Sequence, residues 1–216
     1  MILRLALLLG MTSVLLGALF HAPYAIGLGP LTPIIYFHVP LAWVAVLAYG
    51  LAMVHSLAYL RHREPAADAR AVAAVELGTL CALLATLTGA IFAKGAWGAY
   101  WNWDPRQTTI LFLLLIYLAY FSLRALFTDP HQRARLSALY ASLAFIGVPF
   151  LVFLLPRAYP TLHPSPLIGG QGGGIDVGMR GVLLGALLAF TALFLWIYRL
   201  RWQLEELQRG DEDGNY

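Results

Sequence analysis

Apolar residues form six long runs along the chain, and short stretches that contain polar residues, glycine or proline separate these runs. The runs lie at residues 4–20, 33–59, 71–93, 108–127, 136–155 and 181–198. A helix needs about 20 apolar residues to cross a bilayer, and each run meets or approaches that length. A backbone in lipid must satisfy its own hydrogen bonds. The pattern therefore predicts an all-α, polytopic membrane protein with about six transmembrane helices and short loops.

Little of the chain is left for a soluble domain. We predict one six-span membrane domain over residues 1–202 and a cytoplasmic acidic tail over residues 203–216. The 216 residues are 60% hydrophobic and only 12% charged, whereas roughly 25% of the residues in a soluble domain are charged. Arg4 at the start of the first run resembles the start of a signal peptide, but no small-x-small cleavage site follows, so we expect the first span to be retained.

Basic residues predict the orientation in the membrane. With the N-terminus inside, ten of the 14 lysines and arginines lie on the cytoplasmic side. The other four are Lys94, Arg106, Arg157 and Arg180. Both termini are then cytoplasmic in a multi-pass protein of the cytoplasmic (inner) membrane, and residues 21–32, 94–107 and 156–180 face outside. The net charge of +3 reflects this topology and gives no reason to expect nucleic acid as a partner.

The second outside segment is unusually aromatic. The aromatic segment, residues 97–109, reads WGAYWNWDPRQTT and contains half of the six tryptophans within seven positions. We expect Trp97, Trp101 and Trp103 to form a flat aromatic shelf with Asp104 and Arg106 at its rim, which suits a large planar ligand that carries carboxylates, such as haem. The alternative is an aromatic belt at the membrane interface, but belts are spread over many helices.

The end of the aromatic segment also has the pattern of a helix start. Asp104 is a candidate N-cap, Pro105 suits the first helical position, and Gln107 is placed to reach back as in a capping box. Such a cap would hold the shelf rigidly on the fourth span. For Arg106, side-chain chemistry leaves two partners open, a haem propionate and a lipid phosphate.

Two histidines are candidate metal ligands. A span that begins near Pro33 places His38 roughly 8 Å below the outer surface, where an ionisable group is a functional candidate by default. The alternative for His38 is a neutral histidine that is hydrogen-bonded inside the bundle. His163 lies between prolines in TLHPSP of the third outside segment. A helix histidine and a loop histidine at one membrane face are suited to approach opposite faces of a planar macrocycle.

Two other features carry less weight. Cys81 is the only cysteine, and a lone thiol inside a span has no partner for a thiol–disulfide cycle. The glycine-rich residues 169–174 lack the lysine and hydroxyl residue of a phosphate loop. We interpret that stretch as a flexible hinge that lets the third outside segment cover or uncover a site.

The aromatic segment resembles the WGxxWxWD signature of the haem-handling membrane proteins of cytochrome c maturation. Within that group the chain is similar to the CcmC family, haem exporter protein C. The likeness covers nearly the whole chain: about six spans, the signature in the second outside segment, an HVP histidine at 38 and a TLH histidine at 163. One departure is Tyr100, where family members often have tryptophan.

The resemblance implies a site and a set of partners. His38 and His163 would be the two axial ligands of haem b. The residues themselves, apart from the resemblance, suit Arg106 or Arg157 to binding the propionates through charge-assisted hydrogen bonds. The platform would comprise Trp97, Gly98, Trp101, Trp103 and Asp104. The family presents haem to the chaperone CcmE, with the ABC transporter subunits CcmA and CcmB and the small subunit CcmD as further partners. No residue has to act as a nucleophile or general acid, so we expect a haem delivery factor rather than a conventional enzyme.

Two other functions remain alternatives. A transporter subunit would be expected to show charged or broken helices near the midplane and an internal repeat, and the sequence shows neither. A membrane haem electron-transfer protein would use paired histidines at both membrane faces, and His55 and His62 in the cytoplasmic half keep that option open.

Overall fold

The structure is a computed structural model that describes residues 2–25, 28–163 and 177–213. The described residues are almost entirely helical and contain no β-strand. The elements are α1 (Ile2–Leu16) with a π-helical turn (Gly17–His21), a 3-10 turn (Gly29–Leu31), α2 (Thr32–His62), α3 (Pro65–Trp97), α4 (Pro105–Leu126), α5 (Pro130–Pro149) with a second π-helical turn (Phe150–Leu154), α6 (Leu155–Ala158) and α7 (Val177–Asp213). Six helical stretches in this part of the chain are long and apolar enough to cross a membrane. The prediction of an all-α protein with about six spans is confirmed.

Acid–proline pairs mark the starts of three helices. Pro65, Pro105 and Pro130 each occupy the first turn of their helix, where the missing N–H costs nothing. Before two of these prolines an aspartate closes the helix end, because Asp104 accepts from Arg106 N and Asp129 accepts from Gln132 N, both at 2.9 Å. The predicted N-cap at Asp104 is confirmed.

Small side chains allow α2 and α3 to pack closely along their length. Ala48 and Ala52 of α2 and Ala74 and Ala82 of α3 are fully buried. A Cβ added at Gly78 would lie 3.0 Å from the Tyr49 ring. Helices in membranes associate through such close backbone approach, since apolar burial gives no advantage over lipid. The α2–α3 pair is the centre of the bundle: α4, α5 and α7 pack on it, and α1 packs on α7.

The two ends of the bundle differ in character. At one end, Arg124 of α4 pairs with Asp68 at 2.8 Å, and Arg201 of α7 pairs with Glu76 at 2.7 Å. At the opposite end, which we call the loop end, lie the three segments that the sequence predicts to face outside. Residues 164–176, which include the glycine-rich stretch and its proposed hinge, lie outside the described residues. Helix α7 runs on to Asp213, into the predicted acidic tail.

Candidate functional site

The three segments at the loop end contact one another. Leu31 packs so closely on α3 that a Cβ at Gly95 would lie 2.7 Å from Leu31 Cδ2. This contact joins the first segment to the end of α3, from which the aromatic segment begins. The aromatic segment is in turn joined to the third segment through Asp104, which hydrogen-bonds to Thr161 at 2.7 Å. Side chains far apart in the sequence are therefore brought to one place.

Backbone turns and one glutamine shape the aromatic segment. Helix α3 ends at Gly98, whose left-handed backbone (φ 83°) favours glycine. Gln107 Oε1 then accepts from Asn102 N at 2.8 Å, and Gln107 Nε2 donates to the Tyr100 carbonyl at 3.3 Å. The prediction of a capping box was wrong in this detail, because Gln107 reaches past the N-cap residue to the preceding turn. Gln107 thereby fastens the aromatic segment to α4.

The tryptophans do not form the flat shelf that the sequence predicts. The rings of Trp101 and Trp103 are 5.7 Å apart and stand at 90° to each other. Trp103 has a left-handed backbone (φ 56°), unusual for a residue other than glycine. Its side chain is 70% exposed, so it points away from the bundle. Trp101 and Trp97 are half-buried. The aromatic surface is thus folded, with two indoles turned inward and one outward.

Asp104 is the junction between α4 and the third segment. It is 4% exposed and accepts four hydrogen bonds, from Arg106 N at 2.9 Å, Thr161 Oγ1 at 2.7 Å, Leu162 N at 2.7 Å and His163 Nδ1 at 2.8 Å. Burial by itself raises the pKa of this carboxyl. The hydrogen bonds from Thr161 and the two backbone N–H groups, together with His163, outweigh burial and hold the pKa below its usual value. Asp104 is therefore a carboxylate that only accepts hydrogen bonds.

His163 is held as a neutral ring, and one of its nitrogens has no hydrogen-bond partner among the described residues. Burial lowers its pKa to about 4, although the charge of Asp104 acts in the opposite direction. Since the Asp104 carboxylate accepts from Nδ1, the single proton of the neutral ring is on Nδ1 and Nε2 carries the lone pair. The Trp97 ring meets the imidazole edge-on, with the ring centres 4.9 Å apart. The orientation of the imidazole is fixed on two sides.

His38 has the same arrangement on a helix. Its Nδ1 is 3.0 Å from the Ala85 carbonyl of α3 and 3.2 Å from Thr88 Oγ1. A carbonyl only accepts, so Nδ1 is again the protonated nitrogen and Nε2 the free one. The ring lies directly on the backbone of α3, because a Cβ at Gly89 would approach His38 Cε1 to 3.0 Å. Histidines that ligate metals commonly have their second nitrogen held in this way.

Both imidazoles line the same cavity. Its volume is about 440 Å³, within the range of small-molecule sites. Most of its walls are aliphatic or aromatic side chains from α2, α3, α7 and the α5–α6 region. A second cavity of about 150 Å³ is also lined by both histidines, together with Trp101. The His38 ring is close enough that its charged form would lower the pKa of His163.

Two guanidinium groups border the large cavity, and its described lining includes no carboxylate. Arg106 lies between both cavities, and its Nε is buried without a hydrogen-bond partner among the described residues. Arg157 lines the large cavity and donates to the Phe153 carbonyl at 2.6 Å. A buried donor without an acceptor is costly, so a ligand with carboxylate groups complements this edge of the cavity.

The structure thus separates the predicted site residues into three groups. His38, His163, Trp101 and Arg106 line the cavities. Trp97 and Asp104 lie against His163 and position it. Gly98 closes a helix, and Trp103 faces outward; neither lines either cavity.

Sequence reasoning did not identify the groups that hold the histidines. Ala85, Thr88 and Gly89 contact His38, and Thr161 shares the Asp104 carboxylate with His163. The small residues of α3 resemble ordinary packing positions, so they carry no local signal. The position of Thr161, two residues before His163, is the one local hint.

Comparison with known proteins gives one consistent family. A family model described as "CcmC: Heme exporter protein C" matches residues 1–214. A protein named Heme exporter protein C from Bradyrhizobium diazoefficiens is 34% identical over 182 residues, which cover 84% of this chain and 69% of the relative. Proteins of the same name from Rhodobacter capsulatus and Haemophilus influenzae are 35% and 28% identical, over 62% and 92% of this chain and 54% and 82% of their own lengths.

Proposed function

Because the chain belongs to the Heme exporter protein C family, a component of cytochrome c maturation, we propose that it binds haem b at the loop end and presents it to the chaperone CcmE. His38 and His163 are the axial iron ligands in this proposal. The observation that carries it is the pair of imidazoles on one cavity, each with Nδ1 engaged and with no partner for Nε2 in the part of the chain that the structure describes. Neutral imidazole is among the ordinary ligands of haem iron.

The other walls of the cavity support the same ligand. Aliphatic and aromatic side chains suit the apolar surface of a porphyrin, and Trp101 offers an indole beside both histidines. Arg106 and Arg157 bind the propionates through charge-assisted hydrogen bonds. The buried, unpartnered Nε of Arg106 favours the propionate over the lipid phosphate as the partner of this residue.

Presentation also requires a defined side of the membrane. The distribution of basic residues, ten inside against four outside, supports an outer position for the loop end in the cytoplasmic membrane. A haem held there is within reach of CcmE, while Trp103 and Tyr100 are exposed beside the site as a contact surface. We propose CcmA, CcmB and CcmD as the further partners, with the chain acting as a delivery factor and not as a conventional enzyme.

The optical spectrum of the purified protein tests the ligand assignment. We expect a low-spin haem spectrum, weakened or lost in His38→Ala and in His163→Ala because each change removes one axial ligand. His21→Ala is the matched control, since His21 is an exposed histidine near the same end and does not line either cavity. Full haem retention in the double variant of His38 and His163 would reject the assignment.

Co-expression with the chaperone tests presentation. We expect covalent haem on CcmE only when the aromatic segment is intact, and we expect Trp103→Ala to reduce loading while the haem spectrum of the protein itself is retained. Trp103 faces outward, so its loss affects the partner more than the bound haem. Unchanged loading after removal of Trp97, Trp101 and Trp103 together would count against presentation by this surface.

A further inference from the structure

The large cavity extends well below the two histidines. Along α2 it is lined by a face of the helix that runs from Ile34 through His38, Val39 and Ala42 to Val46. At 1.5 Å per residue this face is about 18 Å long, so the cavity reaches deep into the membrane-spanning part of the bundle. A haem site near the outer surface does not by itself require a cavity of this depth.

One side of this extension lies between two elements that make no extensive contact in the described part of the chain. Leu183 and Leu187 of α7 form one wall, and Val152 and Phe153 of the second π-helical turn form the other. Helices α5 and α7 both pack on α2, but in the described residues they make no extensive contact with each other. In the described part of the chain a gap is therefore left between these walls, with α2 as its floor.

An indole lies at the lower part of this gap. Trp43 lines the cavity and is 48% exposed, although it is in the middle of a span. Its Nε1 donates to Thr191 Oγ1 of α7 at 3.2 Å, which fixes the ring and satisfies its only donor. The bond leaves an oriented aromatic surface at the border between the cavity and the hydrocarbon.

The chemistry of the cavity changes from one end to the other. Arg106 and Arg157 are at the loop end, whereas Trp43, Val46 and Leu187 at the far end are uncharged. A porphyrin has the same polarity, with two carboxylates on one edge and methyl and vinyl groups on the opposite edge. A lipid acyl chain would fill the apolar part but would leave the buried Arg106 Nε without an acceptor.

We propose that the gap between α7 and the second π-helical turn is a lateral opening of the site, through which haem exchanges directly with the bilayer and passes over Trp43. This inference rests on the proposed haem-binding function. Haem enters with its apolar edge in lipid, its carboxylates reach the two arginines, and the imidazoles of His38 and His163 then hold the iron. Thr191 positions Trp43 and so keeps the opening in shape.

Adjacent leucines on α7 provide a matched test. Leu187 lines the cavity, whereas Leu188 is 72% exposed and does not. We expect Leu187→Trp in nanodiscs to slow uptake of haem preloaded in the bilayer by about tenfold or more, while Leu188→Trp stays within about twofold of the parent. Because Leu187 also lines the haem cavity, the quantity compared is the ratio of uptake from lipid to uptake of the haem bis-imidazole complex from water, which should fall in Leu187→Trp and stay at the parent value in Leu188→Trp. Equal lipid uptake in Leu187→Trp and the parent would overturn the lateral opening.

A labelling experiment does not depend on a bulky substitution. In a Cys81→Ser background, Val46→Cys places a thiol at the deep end of the cavity. We expect pyrene maleimide from the bilayer to label this thiol in the haem-free protein, and haem to protect it; Leu188→Cys should be labelled with or without haem. Equal labelling of Val46→Cys with and without haem would overturn the proposal, because it would indicate that a lipid chain and not haem occupies the gap. A parent protein without a haem spectrum would instead refute the proposed function itself.

Discussion

Asp104→Asn tests the site at its most connected residue. The carboxylate accepts from Arg106 N and His163 Nδ1 through Oδ1, and from Thr161 Oγ1 and Leu162 N through Oδ2. An asparagine can keep the first pair of bonds through its carbonyl oxygen. Its amide group then faces the Leu162 N–H with a second donor, so the bonds to Leu162 and Thr161 are lost or reversed.

The cost follows from these two bonds. A hydrogen bond to a charged group contributes roughly 1.5 kcal/mol at the low end of its range, so the loss of two amounts to about 3 kcal/mol in docking of the third segment. If docking and haem binding are fully coupled, that is about a hundredfold in haem affinity. Partial coupling leaves a loss of about 10- to 100-fold, the usual effect of removing a group that orients a metal ligand.

Haem titration of the purified apo-protein, followed by its optical spectrum, measures this effect. Asp129→Asn is the matched control, because Asp129 makes the same kind of N-cap on α5 but lies at the other end of the bundle. Thr161→Val should fall between the control and Asp104→Asn, since it removes one of the two bonds. If Asp104→Asn lowers thermal stability as Asp129→Asn does but leaves haem affinity unchanged, the carboxylate is only a helix cap and this reasoning is refuted.

Three further predictions follow from the same site. Gly89→Ala should weaken the low-spin spectrum because its Cβ would approach His38 Cε1 to 3.0 Å, whereas Gly147→Ala, with open space around it, should not; equal spectra would contradict the contact. Arg106→Leu should weaken haem binding by about tenfold but leave binding of haem dimethyl ester unchanged, and equal losses for both ligands would exclude a propionate contact. Burial lowers the pKa of His163 from 6.5 to about 4. Between these two pH values the unfolded chain binds a proton at this residue and the folded chain does not. The stability due to the neutral ring is therefore complete above pH 6.5 and is lost as the pH falls towards 4. An NMR titration of the histidines of the apo-protein, with His163→Gln for assignment, should show this ring titrating near 4, and a midpoint at its ordinary value would contradict the burial.

The spans could be predicted from the sequence because lipid imposes a strict condition on it. Each apolar run must be a helix if no water is present to satisfy the backbone, so runs of about 20 residues identify the spans directly. The depth of His38 below the loop end follows from helix rise alone. The direction in which a residue points around the helix axis does not follow in this way. Trp43 reads as one more apolar residue of α2, and only the packing of α7 shows that it lies in a gap.

Asp104 shows why the site itself was harder to predict. Its local pattern, Asp-Pro-Arg-Gln, accounts for the bond from Arg106 N to one carboxylate oxygen and gives no sign that the carboxylate has partners in another segment. The partners, Thr161 and Leu162, are 57 and 58 residues away in the sequence. A carboxylate has about four acceptor positions, whereas an N-cap uses one or two. A buried aspartate cap therefore has acceptor capacity left for a second segment, and here that segment carries the candidate ligand His163. Because the same side chain both starts α4 and holds His163, the aromatic segment and the histidine cannot move independently, and a change in either one is transmitted to the other through Asp104.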